Sequence, residues 1–164
     1  MDREELLRRY AAGERDFSGV KFGDSDLYCI DLSGADLSEN RMAKFYLERA
    51  VLKEVNFRNT RLTDSCLDAA DLTGADLRGA SLRYAKLRVA NLTDADLRGV
   101  RFEQTSFDGA NLTRANLSGT KLAGCIFWDV NLTGANLEGS NLRKVKFRNT
   151  IMPDGSIRTD APSI

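Results

Sequence analysis

The chain of 164 residues contains no histidine, only three cysteines and only two prolines. Without histidine, the sequence excludes Ser-His-Asp and Cys-His catalysis, histidine-containing zinc sites and an imidazole pH switch. The cysteines Cys29, Cys66 and Cys125 form no Cys-x-x-Cys pair, so they support neither a disulfide framework nor a four-thiolate metal site, and we interpret them as reduced. We expect no catalytic residue, no metal site and no cofactor.

Long apolar runs and a net charge are also absent. No apolar segment approaches the roughly 20 residues of a transmembrane helix, and the opening MDREELLRRY lacks the apolar core of a signal peptide. We therefore expect a cytoplasmic protein that does not associate with membranes. The 24 basic and 24 acidic residues cancel, so the chain as a whole does not imitate a polyanion, and nucleic acid is not an expected partner.

The chain does contain a five-residue repeat. Leu, Phe, Met or Ile occupies every fifth position from Phe17 to Ile157, without interruption over 29 repeats. Five residues advance about 140° around an α-helix, and an odd spacing alternates between the two faces of a strand, so neither element keeps these residues on one side. The period predicts a chain that turns once per repeat around an apolar interior.

The residues around each central apolar position favour such turns. Ala stands two residues before the centre in eleven repeats, Asp or Asn stands one residue before it in fourteen, and Gly stands two residues after it in ten. Small side chains fit inside corners, Gly tolerates positive φ, and Asn and Asp hydrogen-bond to the nearby backbone of a bend. A turn is therefore predicted at the same point of each repeat.

Several repeats carry a family motif. The segments ADLTG-ADLRG at 70–79, ANLTR-ANLSG at 110–119 and VNLTG-ANLEG at 130–139 resemble the A(D/N)LxX motif of pentapeptide-repeat proteins, which are abundant in cyanobacteria. The resemblance covers residues 15–159 in unbroken register. It implies an all-β fold, a right-handed quadrilateral parallel β-helix with four pentapeptides per coil and about seven coils.

The resemblance also implies which side chains form the core. The central residue and the small residue two positions before it point inward, and Phe107, Phe127 and Phe147 are expected to stack in one column. The central residues assigned to the core are Phe17, Phe22, Leu27, Leu32, Leu37, Phe57, Leu72, Leu77, Leu82, Leu87, Leu92, Leu97, Phe102, Phe107, Leu112, Leu117, Leu122, Phe127, Leu132, Leu137, Leu142 and Phe147.

Residues 1–14 are predicted to form a short α-helix that caps the first coil. Asp2 is a suitable N-cap, Leu6 and Tyr10 lie at helical spacing, and Gly13 is a suitable stop. A cap is expected because a solenoid otherwise exposes backbone groups and core side chains at its end.

The β-helix is assigned to residues 15–159 and a C-terminal tail to residues 160–164. Residues 152–155 have the composition of a turn, and no amphipathic helix follows that would cover this end. Two interpretations stay open. One is a homodimer through the C-terminal coils, as the resemblance implies for some members of the family, and the other is a folded-back tail that ends in Ile164.

Residues 40–59 depart most from the repeat, because Asn40 and Phe45 occupy positions that elsewhere hold small residues. One interpretation is a continuous coil with a local bulge at Phe45, and the other is a helix over residues 38–53 that is capped by Ser38. The continuous coil is favoured because the segment has the length of one whole coil and both flanks keep the five-residue register.

With the coil length taken from the resemblance, successive repeats are assigned in turn to the four sides of the coil. The basic and acidic residues then fall unevenly on these sides. The side whose central residues run from Phe22 to Leu142 carries nine basic residues against Asp24, Asp64 and Glu103, a net charge of +6. The opposite side carries two basic and five acidic residues, a net charge of −3. We call the positive side the basic face and predict that it binds a partner through Lys21, Arg41, Lys44, Arg61, Arg83, Arg101, Lys121, Arg143 and Lys144.

Ile126 and Trp128 flank Phe127 at outward positions and form a second candidate, an apolar contact. We predict a non-enzymatic structural or protein-interaction module, a rigid rod that presents polar faces to a protein partner. The resemblance implies an alternative, inhibition of a type II topoisomerase by mimicry of DNA, which the zero net charge disfavours. Weak binding of nucleic acid by the basic face is a further alternative.

Overall fold

The computed structural model of the chain describes residues 1–160. Its regular elements are α1 (Arg3–Ala11), β1 (Ile126–Trp128), β2 (Lys146–Arg148), β3 (Thr150–Ile151) and β4 (Ile157–Arg158). Strands β1 and β2 pair in parallel, whereas β3 and β4 pair antiparallel. Most other strand contacts are isolated parallel bridges. No helix within residues 1–160 has the length and apolar composition needed to cross a membrane.

The chain winds as a β-helix with a twenty-residue coil. Parallel bridges join residues twenty positions apart, as between Asp71 and Asn91. The backbone N–H of Leu87 donates to the Ser106 carbonyl in the next coil at 2.8 Å, and the N–H of Lys86 donates to a carbonyl in the preceding coil at 3.0 Å. Four five-residue repeats therefore fit into one coil, and each outward side chain between the first and last coils has a neighbour directly above and below it.

From the repeat of Leu27 to that of Phe147, the residue two positions after the centre adopts positive φ in a tight turn. In the repeat centred on Leu87, the N–H of Ala90 donates to the Leu87 carbonyl at 3.2 Å, and Val89 has φ 57°. Glycine fills this position in other repeats because it adopts positive φ without steric cost. The Asp before the centre accepts a hydrogen bond from the backbone two residues later, as Asp31 Oδ1 does from Ser33 N at 3.0 Å. These contacts explain the periodic Gly, Asp and Asn.

The central side chains fill the interior. All of those from Leu27 to Leu132 are at most 1% exposed. The rings of Phe107, Phe127 and Phe147 contact one another edge to face, with centroids 4.9 Å and 5.6 Å apart. Edge-to-face contact suits the aromatic quadrupole better than direct stacking, so this column contributes directional contacts as well as apolar area.

Three residues that the sequence assigns to the core, Phe22, Leu137 and Leu142, are only half-buried. Phe22 lies in the first coil, and the two leucines lie in the last coil on their sides of the rod. Each therefore lacks a neighbouring coil on one side. The five-residue period identifies the inward direction, but full burial also requires coils both above and below.

Residues 40–59 continue the coil, and no helix interrupts this described segment. Phe45 is 6% exposed and meets the Phe22 ring edge to face at 5.7 Å. The N–H of Phe45 donates to the Ser65 hydroxyl at 3.0 Å, which donates to the Met42 carbonyl at 2.8 Å. The Ser65 hydroxyl thus bridges this turn, and the large side chain is accommodated without loss of register.

Helix α1 covers the first coil. The Asp2 carboxylate caps it by accepting a hydrogen bond from Glu5 N at 2.8 Å. Leu6 is fully buried against the core, and the Tyr10 hydroxyl donates to the Ser33 carbonyl at 2.8 Å. The Arg3 guanidinium also donates to the carbonyls of Asp26 at 3.0 Å and Tyr28 at 2.9 Å. The helix is therefore attached to the rod by a buried apolar side chain and by hydrogen bonds from both of its ends.

The C-terminal segment leaves the coil as a hairpin. Met152 N donates to the Ser156 carbonyl at 2.7 Å in the turn between β3 and β4, and Ile157 is 68% exposed. The five-residue period therefore stops describing the backbone before residue 159. Asp160 N donates to the Phe147 carbonyl at 3.0 Å, so the hairpin folds back over this end. The predicted tail end at 161–164 lies outside the described residues.

Candidate functional site: the basic face

The basic face contains a column of residues that lie one coil apart. Parallel bridges connect Arg41 to Arg61, Arg61 to Ser81, Ser81 to Arg101 and Arg101 to Lys121. Because neighbouring strands are about 4.8 Å apart, the column holds its charges close together, with one interruption at Ser81. The other predicted members of the face lie beside, below or above this column: Lys21, Lys44, Arg83, Arg143 and Lys144.

Few of these positive charges have a carboxylate partner. Within residues 1–160, ion pairs on this face involve Arg83 and Arg101, which lie 3.6 Å and 3.8 Å from Glu103. Most arginines on the other faces pair with an aspartate of their own repeat or of the preceding coil: Arg78–Asp76, Arg88–Asp68, Arg98–Asp96, Arg114–Asp94 and Arg148–Asp129. The basic face therefore keeps most of its charge uncompensated.

The paired aspartates show how the other faces differ. Hydrogen bonds from Arg78 hold the pKa of Asp76 below its usual value, and those from Arg98 do the same for Asp96. Both carboxyl groups therefore stay ionised and bound to their arginines at neutral pH. These arginines are already occupied, whereas Arg61 on the basic face has no ion pair within residues 1–160.

A cavity of about 390 Å³ opens in the middle of the basic face. Its lining combines guanidinium groups with the hydroxyls of Thr63 and Ser81, whose oxygens are 3.3 Å apart. We call this cavity the basic pocket, and the residues that matter below are Arg61, Arg83, Arg101, Thr63, Ser81 and Gly79. The pocket brings together three of the nine basic residues that the sequence assigned to this face.

The basic pocket exists because short residues interrupt a column of long ones. Ser81 occupies the position that Arg61 and Arg101 hold one coil below and above it. Gly79, at the adjacent corner, has φ 71°, and the Asn59 side-chain oxygen lies where a Cβ of residue 79 would stand, so Asn59 also lines the pocket. The sequence analysis did not identify Ser81, Thr63 or Gly79, although a serine between two arginines at twenty-residue spacing is a signal that could have done so.

A larger groove of about 580 Å³ runs along a neighbouring face. Its charged residues include Glu48, Asp68 and Asp108 as well as two arginines. Arg88 Nε donates to Asp68 Oδ2 at 2.8 Å, so the central charges of this groove neutralise each other. The groove offers fewer free donors than the basic pocket and was not predicted from the sequence.

The candidate apolar contact is partly covered. Ile126 and Trp128 lie on β1 and are both half-buried. The Arg148 guanidinium lies 4.2 Å from the Trp128 ring centroid, and Asp129 holds that guanidinium at 3.3 Å. The indole face therefore already has a cationic neighbour. The role of this pair in partner binding stays a prediction.

All three cysteines are free, but two have weakly acidic thiols. Burial raises the pKa of the Cys66 thiol to about 11 and that of the Cys125 thiol to about 12. A thiol with such a pKa is almost entirely protonated at neutral pH, and the thiolate is the reactive form. These two side chains are therefore unsuited to nucleophilic chemistry.

A family model described as pentapeptide repeats matches the chain in eight copies. The matched segments are residues 16–44, 30–68, 70–109, 90–129 and 110–149. They include the coil at 40–59 and the three arginines of the basic pocket. A comparison with curated protein sequences finds no match.

The chain is also similar to solved structures of pentapeptide-repeat proteins. HetL, a pentapeptide-repeat protein involved in heterocyst differentiation regulation in the cyanobacterium Nostoc sp. strain PCC 7120, is 28% identical over 96% of this chain and 100% of its own, with a TM-score of 0.64. A pentapeptide-repeat protein from the Arabidopsis thaliana thylakoid lumen is 26% identical over 77% of this chain and 71% of its own, with a TM-score of 0.43. The fluoroquinolone resistance protein QnrB1 is 22% identical over 74% and 78%, with a TM-score of 0.30. The similarity to HetL supports a right-handed β-helix, whereas the other two TM-scores are too low to carry an argument.

Proposed function

Because the chain belongs to the pentapeptide-repeat family, we propose that it is a non-enzymatic interaction module, a rigid rod of about seven coils. Its basic face binds an acidic surface on a protein partner. The contrast in ion pairing supports this proposal, because most basic side chains on this face lack a carboxylate partner within residues 1–160. Uncompensated charge on one side of a rod attracts and orients an oppositely charged surface.

A pull-down from a cyanobacterial lysate tests the proposal, since the HetL similarity points to such organisms. One bait is the unchanged chain, and the second carries Arg61, Arg83, Arg101 and Lys121 changed to Glu. We expect a protein that the unchanged chain retains and the variant loses. After purification, that protein should bind the variant with a dissociation constant at least about tenfold higher, because four attractive contacts become repulsive.

Charge reversal on other faces is the matched control. Arg49, Arg58, Lys86 and Lys146 are exposed and have no ion pair within the described chain, so changing them to Glu alters the net charge equally. A partner that is retained by this control and lost by the basic-face variant assigns the binding site to the basic face. Equal retention by all three baits contradicts the proposal.

The alternatives drawn from the sequence have weaker support. Mimicry of DNA needs a strongly acidic surface, whereas this chain has 24 basic and 24 acidic residues. Single-stranded nucleic acid needs aromatic platforms for base stacking, and Tyr84 is the single outward aromatic side chain on the basic face. A basic-face affinity for duplex DNA that falls steeply with salt concentration would favour the nucleic-acid alternative.

Self-association through the C-terminal end is a second proposal. Leu137, Leu142 and Met152 are half-buried at this end. A second copy of the chain would cover the apolar surface that they expose to water. Light scattering should therefore report a dimer, and Leu142→Glu should convert it into a monomer. A monomeric unchanged chain at micromolar concentration contradicts this proposal.

We propose the cytoplasm as the compartment of the chain. The three free cysteines support it, because disulfides form in oxidising compartments and are rare in the cytosol. Fluorescence microscopy of a tagged chain should show a diffuse cytoplasmic signal, and a signal confined to another compartment would contradict the proposal.

A further inference from the structure

We infer that the basic pocket binds a phosphoryl group, either as a phosphate monoester or as the free ion. Phosphoryl binding by the pocket does not depend on the proposed function of the basic face. Its use in binding a protein partner does rest on that proposal. The pocket places three guanidinium groups and two hydroxyls around one cavity. Guanidinium groups bind tetrahedral oxyanions well, because they donate charge-assisted and often bidentate hydrogen bonds to phosphate oxygens.

Arg61 and Arg101 stand on opposite sides of the pocket. Each bridges to Ser81, one from the preceding coil and the other from the following coil. Their backbones are therefore roughly 10 Å apart, twice the strand spacing, with only the short Ser81 side chain between them. Two cations flanking a gap repel each other, and an anion placed between them replaces this repulsion with two attractive contacts.

Arg83 approaches the pocket from a third direction. Its guanidinium lies over the Tyr84 ring, and its Nη2 donates to the Tyr84 hydroxyl at 3.3 Å. The buried Nε has no hydrogen-bond partner within residues 1–160, because Glu103 Oε2 is 3.6 Å away and too distant for a good hydrogen bond. Glu103 also faces Arg101 at 3.8 Å. One carboxylate thus faces two guanidinium groups, so the pocket remains positively charged.

The hydroxyls of Thr63 and Ser81 add neutral donors. Their oxygens are 3.3 Å apart, so one hydroxyl donates to the other. The second proton has no partner within the described residues and is available to an oxyanion. The nearby Thr60 hydroxyl differs, because it already donates to the Leu37 carbonyl at 2.8 Å. The pocket therefore offers a spare hydroxyl donor beside its guanidinium groups.

The size of the pocket suits a phosphate ester. Its volume of about 390 Å³ falls within the range of small-molecule sites and exceeds that of a single phosphate ion. Space therefore remains for the group to which the phosphoryl oxygen is bonded. The neighbouring groove of about 580 Å³ lacks this chemistry, because its lining includes several carboxylates.

Calorimetric titration of the purified chain of 164 residues tests the inference, with inorganic phosphate and phosphoserine as probes and serine as the blank. We expect saturable binding of a phosphate probe to one site. Arg61→Gln and Arg101→Gln should each weaken it about tenfold or more, the usual consequence of losing a charge-assisted hydrogen bond. Arg143→Gln removes the same charge from the same face outside the pocket and should change the affinity little.

A second pair of variants separates the pocket from general electrostatic attraction. Ser81→Arg fills the gap while adding a positive charge, and the column tolerates adjacent arginines because Arg41 already bridges to Arg61. Asn141→Arg adds the same charge higher in the same column. If the pocket is the site, Ser81→Arg weakens phosphate binding at least tenfold and Asn141→Arg does not. Stronger binding to both variants, or no saturable binding to the unchanged chain, overturns the inference.

The two probes distinguish the sources of the phosphoryl group. Tighter binding of phosphoserine assigns the pocket to esterified phosphoryl groups such as those of a modified protein partner, and tighter binding of inorganic phosphate assigns it to the free ion. Either order supports an oxyanion site when the pocket variants lose affinity. These titrations contain no partner protein, so their outcome is independent of the pull-down that tests the proposed function.

Discussion

Val89 shows the conformational cost that the repeat imposes on a single residue. It occupies the corner position with φ 57°, and its side chain is 68% exposed. A β-branched residue is disfavoured at positive φ, because its Cβ substituents crowd the backbone. Since little of the side chain is buried, packing cannot offset this strain. The corner geometry therefore follows from the coil and not from the preference of the residue that occupies it.

We therefore predict that Val89→Asn stabilises the chain by about 1 kcal/mol, because asparagine tolerates the left-handed conformation better. The expected rise in melting temperature is about 2–4 °C for a chain of this size. Thermal unfolding followed by circular dichroism measures it. Gly109→Val makes the reverse change one coil higher, at φ 70°, and should lower the melting temperature. An unchanged or lower value for Val89→Asn contradicts the strain argument.

The direction of individual side chains could be predicted from the sequence, but their neighbours could not. The period places Trp128 outward, yet Arg148 covers its ring at 4.2 Å. Likewise, the period assigned Arg61 and Arg101 to one face without showing that Ser81 opens a pocket between them. Such contacts depend on side-chain lengths in adjacent coils, twenty residues apart in the chain. A period of five residues does not contain that information.

At the scale of elements, α1 follows from local signals. The N-cap Asp2 and the helical spacing of Leu6 and Tyr10 are sequence features, and the helix indeed runs over Arg3–Ala11. Its attachment to the rod is a tertiary feature, since Leu6 is fully buried against the first coil. The helix therefore removes core surface from water at the end where no preceding coil exists.

We predict that Leu6→Ala destabilises the chain by about 2–5 kcal/mol, because it removes buried methyl groups and leaves a cavity between α1 and the first coil. Urea unfolding measures the change. Leu7→Ala is the matched control on the same helix, because Leu7 is 39% exposed and should cost much less. Similar losses for the two variants would show that α1 does not cap the core through Leu6.

The C-terminal hairpin was less accessible to sequence reasoning. Met152 and Ile157 keep the five-residue period, which suggests another coil, but the intervening turn reverses the chain and Ile157 is 68% exposed. The reversal is stabilised by contacts on either side, including the Arg158 guanidinium 3.8 Å from the Phe147 ring centroid. The turn residues and the contacts at this end therefore determine the path of the backbone, although the five-residue period continues in the sequence.

At the scale of the whole molecule, the twenty-residue coil determines which residue types lie together on one face. Because bridges join residues twenty positions apart, a residue type that recurs every fourth repeat becomes a column on one face. Asparagines form one such column, in which Asn111 Nδ2 donates to Thr93 Oγ1 of the preceding coil at 3.1 Å. Arginines and lysines form the basic face in the same way. A chain with no net charge thereby acquires sides of opposite sign.

The same charge pattern determines how the stability of the whole molecule depends on pH. The chain has no histidine, and arginine hydrogen bonds hold the pKa values of Asp76 and Asp96 below the usual value. Such carboxyl groups bind protons more readily in the unfolded chain, so acid favours unfolding. Their contribution to stability is therefore present above about pH 4 and is lost as the pH falls through the folded pKa values.

We predict a melting temperature that is nearly constant between about pH 5 and 7 and falls below about pH 4. The double variant Arg78→Gln, Arg98→Gln should have a lower melting temperature than the unchanged chain at pH 6. Its melting temperature should fall less on acidification, so the two melting temperatures should converge in acid. Arg41→Gln with Arg61→Gln, which removes arginines without ion pairs in the described chain, should keep the original acid dependence. Two results would contradict this assignment: a step in the melting temperature near pH 6.5, or the same pH dependence of the melting temperature in the Arg78 and Arg98 variant and the unchanged chain. Neither result can arise from carboxylates stabilised by these arginines.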